Sequence, residues 1–60
     1  MVTEIRKDLQ NLIEFYTRML MDHESAKKVA VEDLRTAFDR LPTHISICLL
    51  KALKEAEELV

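Results

Sequence analysis

The near-absence of turn-forming residues is the feature that most limits what this chain can fold into. Its 60 residues contain no glycine and one proline, Pro42. Tight β-hairpin turns and phosphate-binding loops both depend on glycine, so the sequence argues against both. The strongest helix formers, alanine, leucine, glutamate, lysine, arginine and methionine, dominate what remains. The composition therefore predicts an all-α protein, a short helical bundle of two or three helices per chain.

A first helix is expected over about residues 3–21, with Thr3 as its N-cap. Its apolar side chains are spaced alternately three and four residues apart, which is the pattern of a helix that packs along one seam. They are Val2, Ile5, Leu9, Leu12, Tyr16 and Met19. Ile13 and Leu20 widen this seam on one side and Phe15 on the other, so the helix is expected to contact two neighbours.

The polar stretch Asp22–Ser25 allows two readings of the segment that follows. Either Asp22 or Ser25 caps a new helix, or one helix continues from Thr3 to Leu41. The apolar stripe changes phase here, which favours a break and a second helix over about residues 26–41, ended by Pro42. The downstream stripe consists of Val31, Leu34, Phe38 and Leu41, with Ala30 and Ala37 beside it.

A third helix is expected over about residues 44–59, capped by Thr43. Between Ile45 and Leu53 only Ser46 and Lys51 are polar, so this part of the helix is apolar on nearly every side. Such a helix is normally buried against several neighbours. Its predicted core face consists of Ile45, Cys48, Leu49, Ala52, Leu53, Ala56 and Leu59 or Val60.

A chain of this length is too short to cover the third helix by itself. Domains of 60 residues bury only about 60% of the surface of the unfolded chain, and the one cysteine excludes an intramolecular disulfide. We therefore expect the bundle to be completed by homodimerisation about a two-fold axis. The predicted oligomer interface consists of Ile45, Ile47, Leu49, Leu50 and Leu53. A Leu50→Glu substitution is expected to break it.

Three residues are candidates for metal binding or catalysis: His23, His44 and Cys48. His44 and Cys48, four residues apart, can face one ion, but a zinc site needs three or four protein ligands. Cys48 is expected on the core face, where a thiol behaves as a small apolar group and not as a nucleophile. The sequence therefore predicts no metal, no cofactor and no catalytic residue, and hence a protein that is not an enzyme.

The charge balance bears on nucleic-acid binding. Nine basic and eleven acidic residues give a net charge of −2, whereas nucleic-acid-binding domains usually carry a basic excess. The second and third helices nevertheless have roughly the dimensions of a helix-turn-helix element. The alternative hypothesis is therefore a DNA-binding transcription regulator that uses Arg35 and Arg40, although each has acidic residues nearby.

The favoured hypothesis is a small non-enzymatic protein–protein interaction or regulatory module, one helical domain over residues 1–60, that acts as a homo-oligomer. Its partners are a second copy and another protein, for which Phe15, Met19 and Met21 form a candidate docking patch. The longest uncharged stretch, Leu41–Leu50, is too short to span a bilayer. With an unpaired thiol and no signal-peptide pattern, we expect a cytoplasmic protein without a membrane partner.

Overall fold

A computed structural model describes residues 1–19 and 21–60, and over this part of the chain the protein is all-helical with three helices. Helix α1 is Val2–Arg18, α2 is His23–Asp39 and α3 is Thr43–Glu58. The prediction of an all-α protein with a break between the first and second helices is confirmed.

Helix α1 ends earlier than the sequence indicates. Its last residue is Arg18, and the backbone amides of Met19 and Met21 both donate to the carbonyl of Tyr16, at 3.1 and 3.3 Å. These bonds close the last turn and lead the chain out of the helix. The predicted extension to about residue 21 includes Leu20, which lies outside the described residues together with its expected place on the seam.

Asp22 starts the second helix. Its carboxylate accepts a hydrogen bond from the backbone amide of Ser25 at 3.1 Å, so Asp22 is the N-cap of α2. A carboxylate at this position satisfies an amide that has no partner within the helix and also interacts favourably with the helix dipole. Of the two caps that the sequence allows, the structure selects Asp22.

Pro42, rather than Thr43, is the residue from which α3 begins. The carbonyl of Pro42 accepts hydrogen bonds from the amides of Ile45 and Ser46, at 3.0 and 2.9 Å. Thr43 is the first helical residue and makes no capping bond with its side chain, so the predicted threonine cap is wrong. Proline suits this junction because its fixed backbone angle ends the preceding segment and its carbonyl remains free to accept.

Each helix packs against the other two, and the described chain measures 36 × 20 × 14 Å. Only a few residues separate α1 from α2 and α2 from α3, so successive helices run antiparallel. The buried side chains come evenly from the three helices: Ile5, Leu9, Ile13, Ala26, Ala30, Val31, Ala52, Leu53 and Ala56, with Ser46 as the buried polar residue.

The α1 seam packs as expected over most of its length. Ile5, Leu9 and Ile13 are buried, and Val2, Leu12 and Tyr16 pack against the core. Met19 is the exception, because it follows the end of the helix, and it is 61% exposed. Similarly, Leu41 lies beyond the end of α2 and leaves the predicted stripe of that helix, at 40% exposure.

Most of the predicted core face of α3 packs inward, namely Leu49, Ala52, Leu53, Ala56 and Val60, but the edges of that face differ from the prediction. Ile45, Cys48 and Leu59 are exposed, whereas Leu50, which is not among the residues of the predicted core face, packs against the core. The apolar residues surround this helix, so their spacing alone does not select one orientation. In the observed orientation Leu49, Leu50 and Leu53 all pack inward, and the core is filled by these larger side chains.

Candidate interaction surface

The five residues of the predicted oligomer interface occupy three different environments in the chain. Leu53 is 2% exposed and belongs to the core of a single copy, while Leu49 and Leu50 are partly buried against that core. Ile45 and Ile47 are 41% and 58% exposed. Only these two isoleucines therefore offer substantial surface to a partner, and a charge at position 50 would also disturb the fold of one chain.

Ile45 and Ile47 lie on opposite flanks of α3. At about 100° per residue, two positions apart on a helix are about 160° apart around its axis. Ile45 shares its flank with residues that repeat at intervals of three, four, three and four. We call this row the α3 seam; it consists of Ile45, Cys48, Ala52, Glu55 and Leu59. The spacing is that of a helix pairing with another helix.

The α3 seam is exposed at its ends and on its charged side. Ile45 is 41% and Leu59 58% exposed, and Cys48 and Glu55 are also exposed. Ala52, in the middle, is 6% exposed and touches the core of its own chain. Ile45, Cys48 and Leu59, which belong to the predicted core face of α3, thus lie at the surface of the folded protein.

The candidate docking patch surrounds the end of α1. Phe15 is 54% and Met19 61% exposed, and Met21 is partly buried against the core. The Phe15 ring meets the Tyr16 ring edge to face, with their centroids 5.3 Å apart and their planes at 76°. Despite this contact Phe15 remains more than half exposed, so Phe15 and Met19 provide accessible apolar surface.

The histidines and the cysteine are dispersed. His23 begins α2, whereas His44 and Cys48 lie in the first half of α3, which starts at the opposite end of the antiparallel bundle. All three are exposed. Within residues 1–19 and 21–60, no group of three or more histidine, cysteine, aspartate or glutamate side chains is arranged to hold a metal ion.

An open groove of about 680 Å³ runs along α1 beside the start of α2. Its wall includes the polar side chains of Gln10, Glu14, Arg18 and His23, with Ile13 as an apolar element. Of these, only His23 is among the predicted candidates for metal binding or catalysis. Gln10, Glu14 and Arg18 lie away from the seam of α1, and nothing in their spacing distinguishes them from an ordinary solvated helix face.

The two arginines of the DNA-binding hypothesis are differently placed. Arg35 pairs with Glu32 in α2, with Nη1 and Oε1 3.0 Å apart, and both side chains are more than half exposed. Arg40 is exposed at the end of α2. A phosphate contact by Arg35 would compete with its existing acidic neighbour, which weakens the case for a basic DNA-binding face.

Comparison with protein-family models, with curated proteins and with solved structures finds no match for this chain. Among the helices formed by the described residues, none combines the length and the apolar character required to cross a membrane.

Proposed function

We propose that this chain is a small, non-enzymatic protein–protein interaction or regulatory module that acts as a homodimer in the cytoplasm. The observation that supports this most directly is the number of large apolar side chains left on its surface. They are Met1, Phe15, Met19, Leu41, Ile45, Ile47 and Leu59, each at least 40% exposed.

The core of one copy is small, which gives association a thermodynamic reason. Four of the nine buried apolar residues in the described chain are alanines: Ala26, Ala30, Ala52 and Ala56. Burying a large apolar side chain contributes about 1.5–3 kcal/mol. Covering a half-exposed isoleucine of α3 in each of two copies would therefore add burial comparable to that of about one core residue.

Light scattering over a range of concentrations tests the homodimer. The expected mass is about twice the 7.0 kDa of one chain. The double variant Ile45→Glu/Ile47→Glu places a carboxylate on each flank of α3, so whichever flank pairs would have to desolvate one, and the variant is expected to return to 7.0 kDa. Thr36→Glu, at an exposed position of α2, is the matched control for an added charge. A parent protein that stays at the mass of one chain at every concentration would refute the homodimer.

Binding of a different protein is assigned to Phe15, Met19 and Met21. A paired pull-down compares the parent with Phe15→Asp/Met19→Asp, and circular dichroism checks that both are equally helical. A partner that uses this patch is retained by the parent and lost by the variant, while the mass of the homodimer is unchanged. A bait that retains the same proteins with and without the patch would remove it from the proposal.

The transcription-regulator alternative has its own test. Binding of duplex DNA at low salt is compared between the parent and Arg35→Ala/Arg40→Ala. This comparison distinguishes a DNA-binding regulator from a protein–protein interaction module. The interaction-module proposal expects no retention of the parent. Salt-sensitive retention that the two substitutions abolish would instead favour the DNA-binding hypothesis.

A further inference from the structure

We infer that two copies pair through the α3 seam, with the two α3 helices antiparallel and Ala52 close to the two-fold axis. This inference rests on the proposed homodimer and specifies its geometry. It is drawn from the distribution of large, small and charged side chains along the seam and beside it.

The two large apolar residues of the seam lie at equal distances on either side of Ala52. Ile45 lies seven residues before Ala52 and Leu59 seven residues after it, about 10.5 Å away in each direction at 1.5 Å per residue. An antiparallel pair centred on Ala52 therefore brings each Ile45 next to the partner's Leu59. Between these two apolar contacts Ala52 is only 6% exposed, so the middle of the contact is formed by the exposed Cys48 and Glu55 of each copy.

The charged residues in and beside the seam distinguish an antiparallel from a parallel pair of α3 helices. Lys51 lies one residue before Ala52 and Glu55 three residues after it, and both are exposed. In the antiparallel pair Lys51 and the partner's Glu55 are offset by two residues, about 3 Å along the axis, which is within reach of a lysine side chain. Two-fold symmetry produces this ion pair twice.

A parallel pair has the opposite electrostatics. With the two helices in register, Glu55 would face the partner's Glu55 within the seam, and the two Lys51 side chains would lie on opposite sides of the contact. Like charges placed together in an interface oppose association and select against that arrangement. The same side chains thus favour one orientation and disfavour the other.

Ile47 is excluded from this contact. It lies five residues before Ala52, which places it about 140° away around the helix. Ile45→Glu is therefore expected to weaken dimerisation by about 100-fold or more, whereas Ile47→Glu, with the same change in an exposed isoleucine of the same helix, leaves it nearly unchanged. Equal weakening by both variants would contradict the seam.

Cross-linking tests the orientation directly. In a Cys48→Ser background, Ile45→Cys and Leu59→Cys proteins are prepared separately and treated with bis-maleimidoethane, alone and after mixing. Positions 45 and 59 are 14 residues apart, about 21 Å along one helix, which is beyond the reach of this reagent. A covalent dimer of the mixed proteins therefore reports contact between position 45 of one copy and position 59 of the other.

The antiparallel pair predicts that the mixture cross-links and that neither protein cross-links with itself. A parallel pair predicts the reverse, since each cysteine would face its own counterpart, and this result would overturn the inference. A dimeric mass without any cross-link would place the interface elsewhere on the protein, and would also overturn it. A monomeric mass would refute the proposed homodimer itself, so the failures of the two proposals can be told apart.

Discussion

Tyr16 on α1 donates its phenolic hydrogen to Oδ2 of Asp33 on α2, joining two helices across 17 residues of sequence. This hydrogen bond, together with desolvation and the nearby negative charge of Asp33, raises the pKa of Tyr16 above its ordinary value of 10.0. The phenol is thereby held in the protonated form that the bond requires.

Titration of tyrosinate absorbance measures this pKa without interference, since the chain has one tyrosine and no tryptophan. We expect the midpoint of the folded protein to lie above 10.0. Asp33→Asn should lower it by removing the negative charge, with Glu32→Gln as the control at a neighbouring acidic position. An unchanged midpoint in Asp33→Asn would show that the hydrogen bond does not govern the titration.

The same bond makes stability depend on pH in a defined direction. Because the folded pKa of Tyr16 is the higher one, its contribution is fully present below pH 10.0 and is lost as the pH rises through the folded pKa. Tyr16→Phe is expected to be less stable than the parent near neutral pH, and the difference should shrink in strong alkali. Urea unfolding of both proteins at several pH values measures this convergence.

The capping carboxylate of Asp22 is expected to make the stability of the protein depend on pH in the acid range. The hydrogen bonds from Ser25 lower the pKa of Asp22 below its ordinary value of 3.8, so its contribution is present above 3.8 and is lost as the pH falls through the folded pKa. Asp22→Ala should lower the thermal unfolding midpoint by about 5 °C at neutral pH. Asp22→Asn, which keeps the capping oxygen, should retain most of the stability without this dependence on pH. Equal losses in both variants would argue against the cap.

Leu9 is fully buried, so shortening its side chain should lower the free energy of unfolding more than the same change at an exposed leucine. Leu9→Ala is expected to lower the free energy of unfolding by about 2–5 kcal/mol through lost burial and the cavity left behind. Leu41→Ala makes the same change at a side chain that is 40% exposed and outside the helices, and should cost less than about 1 kcal/mol. Urea denaturation compares the two, and comparable losses would contradict the assignment of the core.

Ala30 tests the close approach of α2 to its neighbours. Its side chain is completely buried, so Ala30→Leu should force the helices apart at a cost of about 1–3 kcal/mol. Ala37→Leu places the same added volume at an exposed position of the same helix and should change stability by less than about 0.5 kcal/mol. If thermal unfolding shows that Ala30→Leu is as stable as the parent, α2 is packed less tightly than the structure indicates.

Most of the local structure could be predicted from the sequence because it depends on interactions between residues close together in the chain. The spacing of Ile5, Leu9 and their neighbours indicates α1 and its buried side, and the composition excludes most alternatives to helix. Asp22 was one of two proposed caps, since its carboxylate needs only an amide three residues away. The Thr43 cap failed because threonine here lies one residue inside the helix that Pro42 begins.

The candidate interaction surface was harder to predict from the sequence than the local structure, and α3 shows the reason. Apolar residues surround this helix, so two orientations bury similar amounts of apolar side chain when the helix is considered alone. One orientation exposes Cys48 and buries Leu50, and the other does the reverse. Which of them is adopted depends on how the side chains of α1 and α2 fill the space opposite α3. In the same way, Tyr16 and Asp33 have no local relationship in the sequence, and meet because two antiparallel helices bring them together.

The amino-acid sequence alone thus determines three features: a helical chain, the break before α2, and an excess of apolar surface over what 60 residues can cover. Periodicity, capping and composition depend on residues within one or two helical turns of each other, so these features can be predicted from the sequence. The packing of the three helices against one another alone determines which flank of α3 remains at the surface. That outcome leaves Ile45 and Leu59 exposed at the two ends of the α3 seam, because the space between α1 and α2 is filled by Leu49, Leu50 and Leu53.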